Sequence, residues 1–295
     1  MRQSTNHILM VRPEVFYANP QTMDTNAYQI DGKAETNDVI LCNAMNEFHA
    51  YRDMLVAKGV IITTVNGHPD CPDMVFPNWA STYDDGRLIL YPMLNQNRQA
   101  ERTPEIVSFL KRYYPKVEDW SGYEEQGIAL ESTASIVSDH VNKRAYSGLS
   151  KRTSPDLVEK WADLMGYDVL AFETASHAGI PVYHTDFLMY IGSEVAAICA
   201  DCITDDAVRG QVLSRLRETH EVIELSMEQL QANCGNGLEV VGENGERMLT
   251  FSKAALEALD DNQLSIVRKY YNTIITPDLS TLEQYGGGSA RCMLM

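Results

Sequence analysis

The chain has 295 residues, 44% of them hydrophobic, enough to bury a sizeable core. Its formal net charge of −17 and isoelectric point of about 4.8 argue against nucleic acid, since phosphate binding needs a basic surface and no Lys/Arg cluster overrides the balance. No apolar run approaches the roughly 20 residues of a membrane span, and His7-Ile8-Leu9-Met10-Val11 is strand-length, without a secretory pattern. Six cysteines spread over this length do not make a disulfide scaffold, so a reducing cytoplasm is the expected setting.

Taken in order, the chain reads as a strand, turn, strand, amphipathic helix and strand that recur five times with a period of roughly 50 to 60 residues. The first unit runs from Ile8-Leu9-Met10-Val11 through a strand at Val39-Ile40-Leu41 and a helix near 45–58 to Val60-Ile61-Ile62. A second opens at Met74-Val75-Phe76, turns at Asp84-Asp85-Gly86 and returns as Leu88-Ile89-Leu90-Tyr91. Its helix follows Thr103-Pro104, with Ile106, Phe109, Leu110 and Tyr113 at helical spacing. The third opens at Ala129-Leu130-Glu131 and has a helix between Ser154-Pro155 and Gly166. Unit four begins at His184, contains the strand Val195-Ala196-Ala197-Ile198, and has a helix after Thr204 with Val208, Val212 and Leu216 on one face. Unit five opens at Gly237-Leu238-Glu239-Val240-Val241, turns at Asn244-Gly245 and runs through a helix over 254–271 to Ile274-Ile275. The tail is expected to lie near the first unit and help close the circle. Such units stack radially, strands inside and helices outside.

That geometry makes the tail informative. Gly286-Gly287-Gly288 lets the backbone turn and approach another group closely, and Cys292 follows, expected on an apolar strand with Met293-Leu294-Met295. Asp73, Glu131 and His184 each sit at or just before the first strand of a unit, so all would face one axis with Cys292. A thiol, an imidazole and carboxylates distant in sequence are what a thiol-nucleophile enzyme gathers in space. Any one of these acids is more simply a turn cap; the set is not.

The ordered motifs Met10-Val11-Arg12-Pro13, Pro72-Asp73-Met74-Val75-Phe76, Leu130-Glu131, Arg152-Thr153, His184-Thr185-Asp186 and Gly287-Gly288-Ser289-Ala290-Arg291-Cys292 resemble the pentein, or guanidino-group-modifying, superfamily. It includes arginine deiminases, dimethylarginine hydrolases and amidinotransferases, and the motifs span nearly the whole chain. Asp70-Cys71-Pro72-Asp73-Met74-Val75-Phe76-Pro77-Asn78 and Leu90-Tyr91-Pro92-Met93 are similar to its bacterial citrulline-utilisation branch. The resemblance implies a five-bladed α/β propeller with pseudo-fivefold repeats, one catalytic domain over 1–295, and no cofactor or metal. It implies Cys292 as nucleophile, His184 as proton donor and acceptor, Glu131 as the group holding the substrate head, and Asp186 orienting His184 or sharing substrate contacts. Arg98 and Arg152 are expected to take the amino acid's carboxylate, with Arg102 close behind Arg98, and Asp73 its α-ammonium.

Two departures bear on the substrate. Arginine-handling members carry a Glu-Gly-Gly-Asp segment where this chain reads Glu131-Ser132-Thr133-Ala134, and a carboxylate of the dimethylarginine hydrolases is replaced by Pro77-Asn78-Trp79. A cationic guanidinium favours two flanking carboxylates, whereas Asn78 can both donate to and accept from a neutral ureido group. Citrulline hydrolysis to ornithine, carbon dioxide and ammonia therefore ranks first. An arginine or substituted-arginine deiminase ranks second, amidine transfer third, and a non-catalytic amino-acid binder is the rival of another class. The partner is a small amino-acid substrate, with no nucleic acid or membrane, and homo-oligomerisation is left open. Cys199-Ala200-Asp201-Cys202 lacks a second ligand pair and reads as the end of a buried strand.

Overall fold

Parallel strands cannot be joined by a tight turn and need a crossover, usually helical. This chain meets that requirement in each of its sheets. The computed structural model describes residues 2–32 and 35–295. In the second unit Ala80–Thr82 pairs antiparallel with Arg87–Leu90, which pairs parallel with Lys116–Asp119 beyond the helix Pro104–Tyr113. Val137–Asp139, Arg144–Leu149 and Asp168–Glu173 repeat the pattern around the helix Pro155–Met165. Met189–Ile191, Val195–Ile198 and Glu221–Glu224 repeat it around Asp206–Arg217. Leu238–Val241, Arg247–Thr250 and Ile274–Ile275 repeat it once more.

The first sheet pairs His7–Arg12 parallel with Ile61–Asn66 across the helix Asn37–Ala57. Its open edge is taken by the tail. Leu9 and Met295 exchange backbone N–H···O bonds of 2.6 and 3.1 Å, the reciprocal pattern of an antiparallel pair. The chain is thus a mixed α/β fold of five separate small sheets, with no closed barrel joining them among the described residues. No helix among those residues is long and apolar enough to cross a membrane.

Local chemistry explains the helix ends. The Thr103 side chain accepts from the Ile106 N–H with Pro104 in the first turn, and Asp205 accepts from Ala207 and Val208. The 254–271 segment is two helices, Lys253–Ala258 and Asp261–Tyr270, because Asp260 and Gln263 form a reciprocal capping box that starts a new one.

Other differences from the sequence reading also have physical causes. Val39-Ile40-Leu41 lies in the helix Asn37–Ala57, not in a strand. Ile40, Ala44, Phe48, Tyr51 and Leu55 form one buried stripe, and a three-residue apolar run cannot reveal that period alone. Met74-Val75-Phe76 forms a turn between Pro72 and Pro77, with the Phe76 N–H on the Asp73 carbonyl, and the strand begins later, at Ala80. Ala129-Leu130-Glu131 makes only an isolated bridge from Leu130 to Thr153 before the hairpin at 137–149. Cys292 sits in the 3-10 turn Arg291–Met293 rather than on a strand, and only Met295 pairs with the sheet.

The helix Asn37–Ala57 also braces the tail, because Glu47 accepts from the Thr281 and Leu282 N–H groups at 2.8 and 2.9 Å, at the start of the helix Ser280–Gly286. Phe48 is buried on the same helix. Phe48→Ala is expected to cost about 3–5 kcal/mol in urea unfolding. A loss under about 1 kcal/mol would show that this helix is not integral to the core.

Candidate active site

The short segments just ahead of the sheets converge. Asp73, Glu131 and His184 precede Ala80–Thr82, Val137–Asp139 and Met189–Ile191, and Cys292 precedes Met295. Asp73, Asn78, Arg98, Arg152, His184 and Cys292 all line one cavity, whose volume of about 10 Å³ holds roughly one water. Glu131 and Asp186 stand directly behind it. These eight residues therefore fall in one contiguous network, and all are buried.

Glu131 is its most constrained member. Its Oε2 lies 2.7 Å from Nε2 of His184 and 3.7 Å from Nη1 of Arg152, while Oε1 accepts from the Leu94 N–H at 3.2 Å. Burial raises the carboxyl's pKa, but Arg152, the His184 hydrogen bond and Arg98 outweigh that and hold it at about 2. An ionised Glu131 fixes the His184 tautomer with the proton on Nε2, leaving Nδ1 bare and without a partner among the described residues. Burial pulls the His184 pKa down, Glu131 opposes it, and Arg152 adds to the fall. The imidazole can thus accept a proton at Nδ1.

Asp186 faces the sulfur, not the imidazole. Its Oδ2 is 3.7 Å from Sγ of Cys292 and 3.4 Å from Nε of Arg291, and Oδ1 has no partner among the described residues. The contact that orients His184 comes from Glu131, not from Asp186. Burial and the neighbouring Asp186 push the Cys292 thiol well above its ordinary value, against smaller pulls from the Ser289 backbone, Asn236 and Arg291. Burial likewise raises the Asp186 carboxyl.

At the far end, Asp73 accepts through Oδ2 from Asn19 at 2.7 Å and Thr22 at 3.2 Å, and its Oδ1 is unpartnered among the described residues. Arg98 is clamped by Glu101 and donates to the Phe76 carbonyl at 2.6 Å. Arg102 instead pairs with Glu124 at 2.6 Å and donates to the Tyr91 carbonyl, and does not line the cavity. Arg152 donates to Thr25 Oγ1 and the Thr22 carbonyl and lies over the Tyr183 ring.

Several neighbours carried no sequence signal of their own. Thr22 and Asn26 come from an irregular segment whose Asn26 reaches the Gly286 and Gly287 carbonyls. Gly287, at φ 63°, turns that carbonyl toward the Tyr183 hydroxyl. Asn236, just ahead of Leu238–Val241, contacts Cys292 and has no part in the sequence analysis. Cys199 and Cys202 are buried at the end of the strand Val195–Ile198, away from this cavity.

Four hairpin–helix–strand sheets and a parallel pair completed by the tail, with a buried thiol, imidazole and carboxylates where their leading segments meet, describe a pentein-type fold. The chain belongs to the family described as N,N dimethylarginine dimethylhydrolase, eukaryotic, whose profile matches residues 12–295, within the pentein superfamily of guanidino-group C–N hydrolases. Among solved structures it is similar to the substrate-bound N-terminal domain of ArgZ, an arginine dihydrolase from the ornithine–ammonia cycle in cyanobacteria. The TM-score is 0.77 at 14% identity, over 98% of this chain and 97% of that one. It is similar to AgrE in complex with ornithine and NAD+ (TM-score 0.76, 16% identity, 98% of this chain and 38% of that one). It is also similar to a dimethylarginine dimethylaminohydrolase adduct (TM-score 0.65, 17% identity, 98% of both chains). At these identities the likeness is one of fold. No curated protein matches by sequence.

The Glu131 carboxyl titrates near 2 in the folded chain against an ordinary 4.5. A depressed folded-state pKa contributes stability above the unfolded value and loses it as pH falls through the folded one. The thermal midpoint is therefore expected to drop between pH 4.5 and 2 more steeply in the native chain than in Glu131→Gln. Parallel profiles would show that this pairing contributes nothing to stability.

Proposed function

We propose that the chain is a cysteine-dependent hydrolase of the guanidino group of an arginine-type amino acid, with Cys292 as nucleophile. The observation that carries this reading is the buried Cys292 thiol 3.7 Å from Oδ2 of Asp186, a neighbour that disfavours its ionisation. A cationic guanidinium entering between Asp186 and Asn78 would offset that negative field and allow ionisation; a neutral ureido head would not. Asp186 supplies the second carboxylate whose apparent loss favoured citrulline in the sequence, and its free Oδ1 suits an N–H-rich head.

In the proposed reaction His184 Nδ1 takes the thiol proton. The thiolate forms a bond to the central guanidino carbon, and the carbon–nitrogen bond to the departing amine breaks as His184 returns its proton to that nitrogen. The same imidazole then deprotonates a water whose oxygen adds to the S-linked carbon, expelling the thiolate and leaving a ureido product. An amine in place of water would make the reaction an amidine transfer. Glu131 positions His184. Arg98 and Arg152 would face the substrate's carboxylate and the free Oδ1 of Asp73 its ammonium, so that charge opposes charge at both ends. The five sheets would stand as propeller blades about this site, with residues 1–295 as one catalytic unit in a cytoplasmic setting. So small a cavity would have to widen to admit an amino acid, and Thr22 and Asn26, which line it, would move.

A second reading, citrulline to ornithine, rests on Asn78, which lines the cavity where a carboxylate would suit a cation. Arginine, dimethylarginine and citrulline assayed side by side for ammonia, dimethylamine, citrulline and ornithine separate the two. The guanidino reading expects turnover of a cationic substrate; turnover of citrulline alone would reverse the ranking. Cys292→Ser is expected to lose at least about a thousandfold in kcat, as removal of a nucleophile does. Unchanged turnover in that variant removes the mechanism, and amino-acid binding without turnover in the native chain favours the binding-protein rival. Arg98→Ala is expected to raise KM about tenfold or more, and an unchanged KM would take Arg98 out of the binding site.

A further inference from the structure

The fifth unit also sends a side chain to this cavity's sulfur. Asn236 is fully buried, and all four hydrogen-bonding positions of its carboxamide are occupied. Oδ1 accepts from the backbone N–H groups of Arg291 at 3.0 Å and Cys292 at 3.3 Å. Nδ2 donates to the Asp186 carbonyl at 2.9 Å and to Sγ of Cys292 at 3.2 Å. The two backbone donors fix the orientation, because a flipped amide would set N–H against N–H at both. One carboxamide N–H is thereby forced toward the sulfur.

The loop is built to hold it there. A Cβ on Gly235 would stand 2.3 Å from the Phe187 carbonyl oxygen, and one on Gly237 would stand 2.8 Å from the Tyr190 ring. Only glycine on either side lets the backbone press this close. Asp186 and Arg291 flank the sulfur, Tyr51 and Tyr183 lie near it, and His184 lines the same cavity. The protonated thiol donates toward Asp186, but a thiolate repels that carboxylate and needs donors instead.

We infer that Asn236 is a catalytic residue of this site, its Nδ2–H stabilising the Cys292 thiolate as the S–H bond ionises and aiming the sulfur lone pair at the cavity. The proton passes to His184 Nδ1 and no electrons change hands. The inference rests on the reading of Cys292 as nucleophile, yet it can be tested without any substrate.

Asn236→Asp has the same shape and keeps both acceptors for the backbone N–H groups, but loses the donors. Its Cys292 is expected to react with iodoacetamide about ten- to a hundredfold more slowly at each pH below the thiol's midpoint, read from the mass of the Cys292 peptide. Cys234→Ala lies in the same loop, where its thiol donates to the Ala255 carbonyl, and is expected to stay within about twofold of the native rate. Where a substrate turns over, Asn236→Asp should lower kcat with little change in KM. Alkylation of Asn236→Asp within twofold of native, or an equal slowing in Cys234→Ala, overturns the inference. If Asn236 variants do not fold, NMR of the native chain decides. An asparagine carboxamide proton should move downfield as Cys292 ionises and stay still in Cys292→Ser, and its absence counts against the role. Normal alkylation behaviour with no turnover of any tested amino acid would instead indict the substrate assignment.

Discussion

A carboxylate with no access to water must find its compensation in the protein, and Glu131 imposes that demand on everything around it. His184, Arg152 and the Leu94 N–H meet it together, so three segments distant in sequence are held within hydrogen-bonding or ion-pair reach of one side chain. Arg152 in turn needs its remaining donors satisfied. They are accepted by the Thr22 carbonyl and Thr25 Oγ1, which draws the N-terminal irregular segment over the cavity. The same charge that orients the imidazole therefore anchors the segment covering it.

The sulfur is poised on the opposite principle. Burial and Asp186 keep Cys292 neutral at rest, in a cavity with room for about one water. A nucleophile is quiescent when protonated and reactive as thiolate. In the proposed mechanism the substrate's own positive charge supplies the missing stabilisation, so reactivity would appear only when a suitable ligand is present. Asn236 fits this scheme as a neutral donor that favours the thiolate without the permanent charge of a lysine or arginine.

Much of the site could be read along the chain. The repeat placed Asp73, Glu131 and His184 at matching points, and the glycine-rich tail marked Cys292, because strand order and loop position follow from local periodicity and turn chemistry. The same logic applied to the fifth unit leads to Asn236, overlooked because an amide beside two glycines looks like an ordinary turn. Arg98 and Arg102 could not be told apart by residue type. They differ only in what faces them, Glu101 and the cavity for one and Glu124 for the other. The short apolar runs at 39–41 and 74–76 went to a helix and a turn because three residues carry too little period, and what decides them is the longer stripe or the flanking prolines.

Composition, repeat and motif order were enough to establish the class of protein and to nominate its reactive groups, since these depend on residue identity and spacing. Which acid serves the imidazole and which faces the thiol depended on distances between segments more than fifty residues apart. Local propensity carries no information about those distances. Whether the buried thiol rests neutral is likewise a property of the assembled site, because desolvation and neighbouring charge exist only once the chain has folded around it.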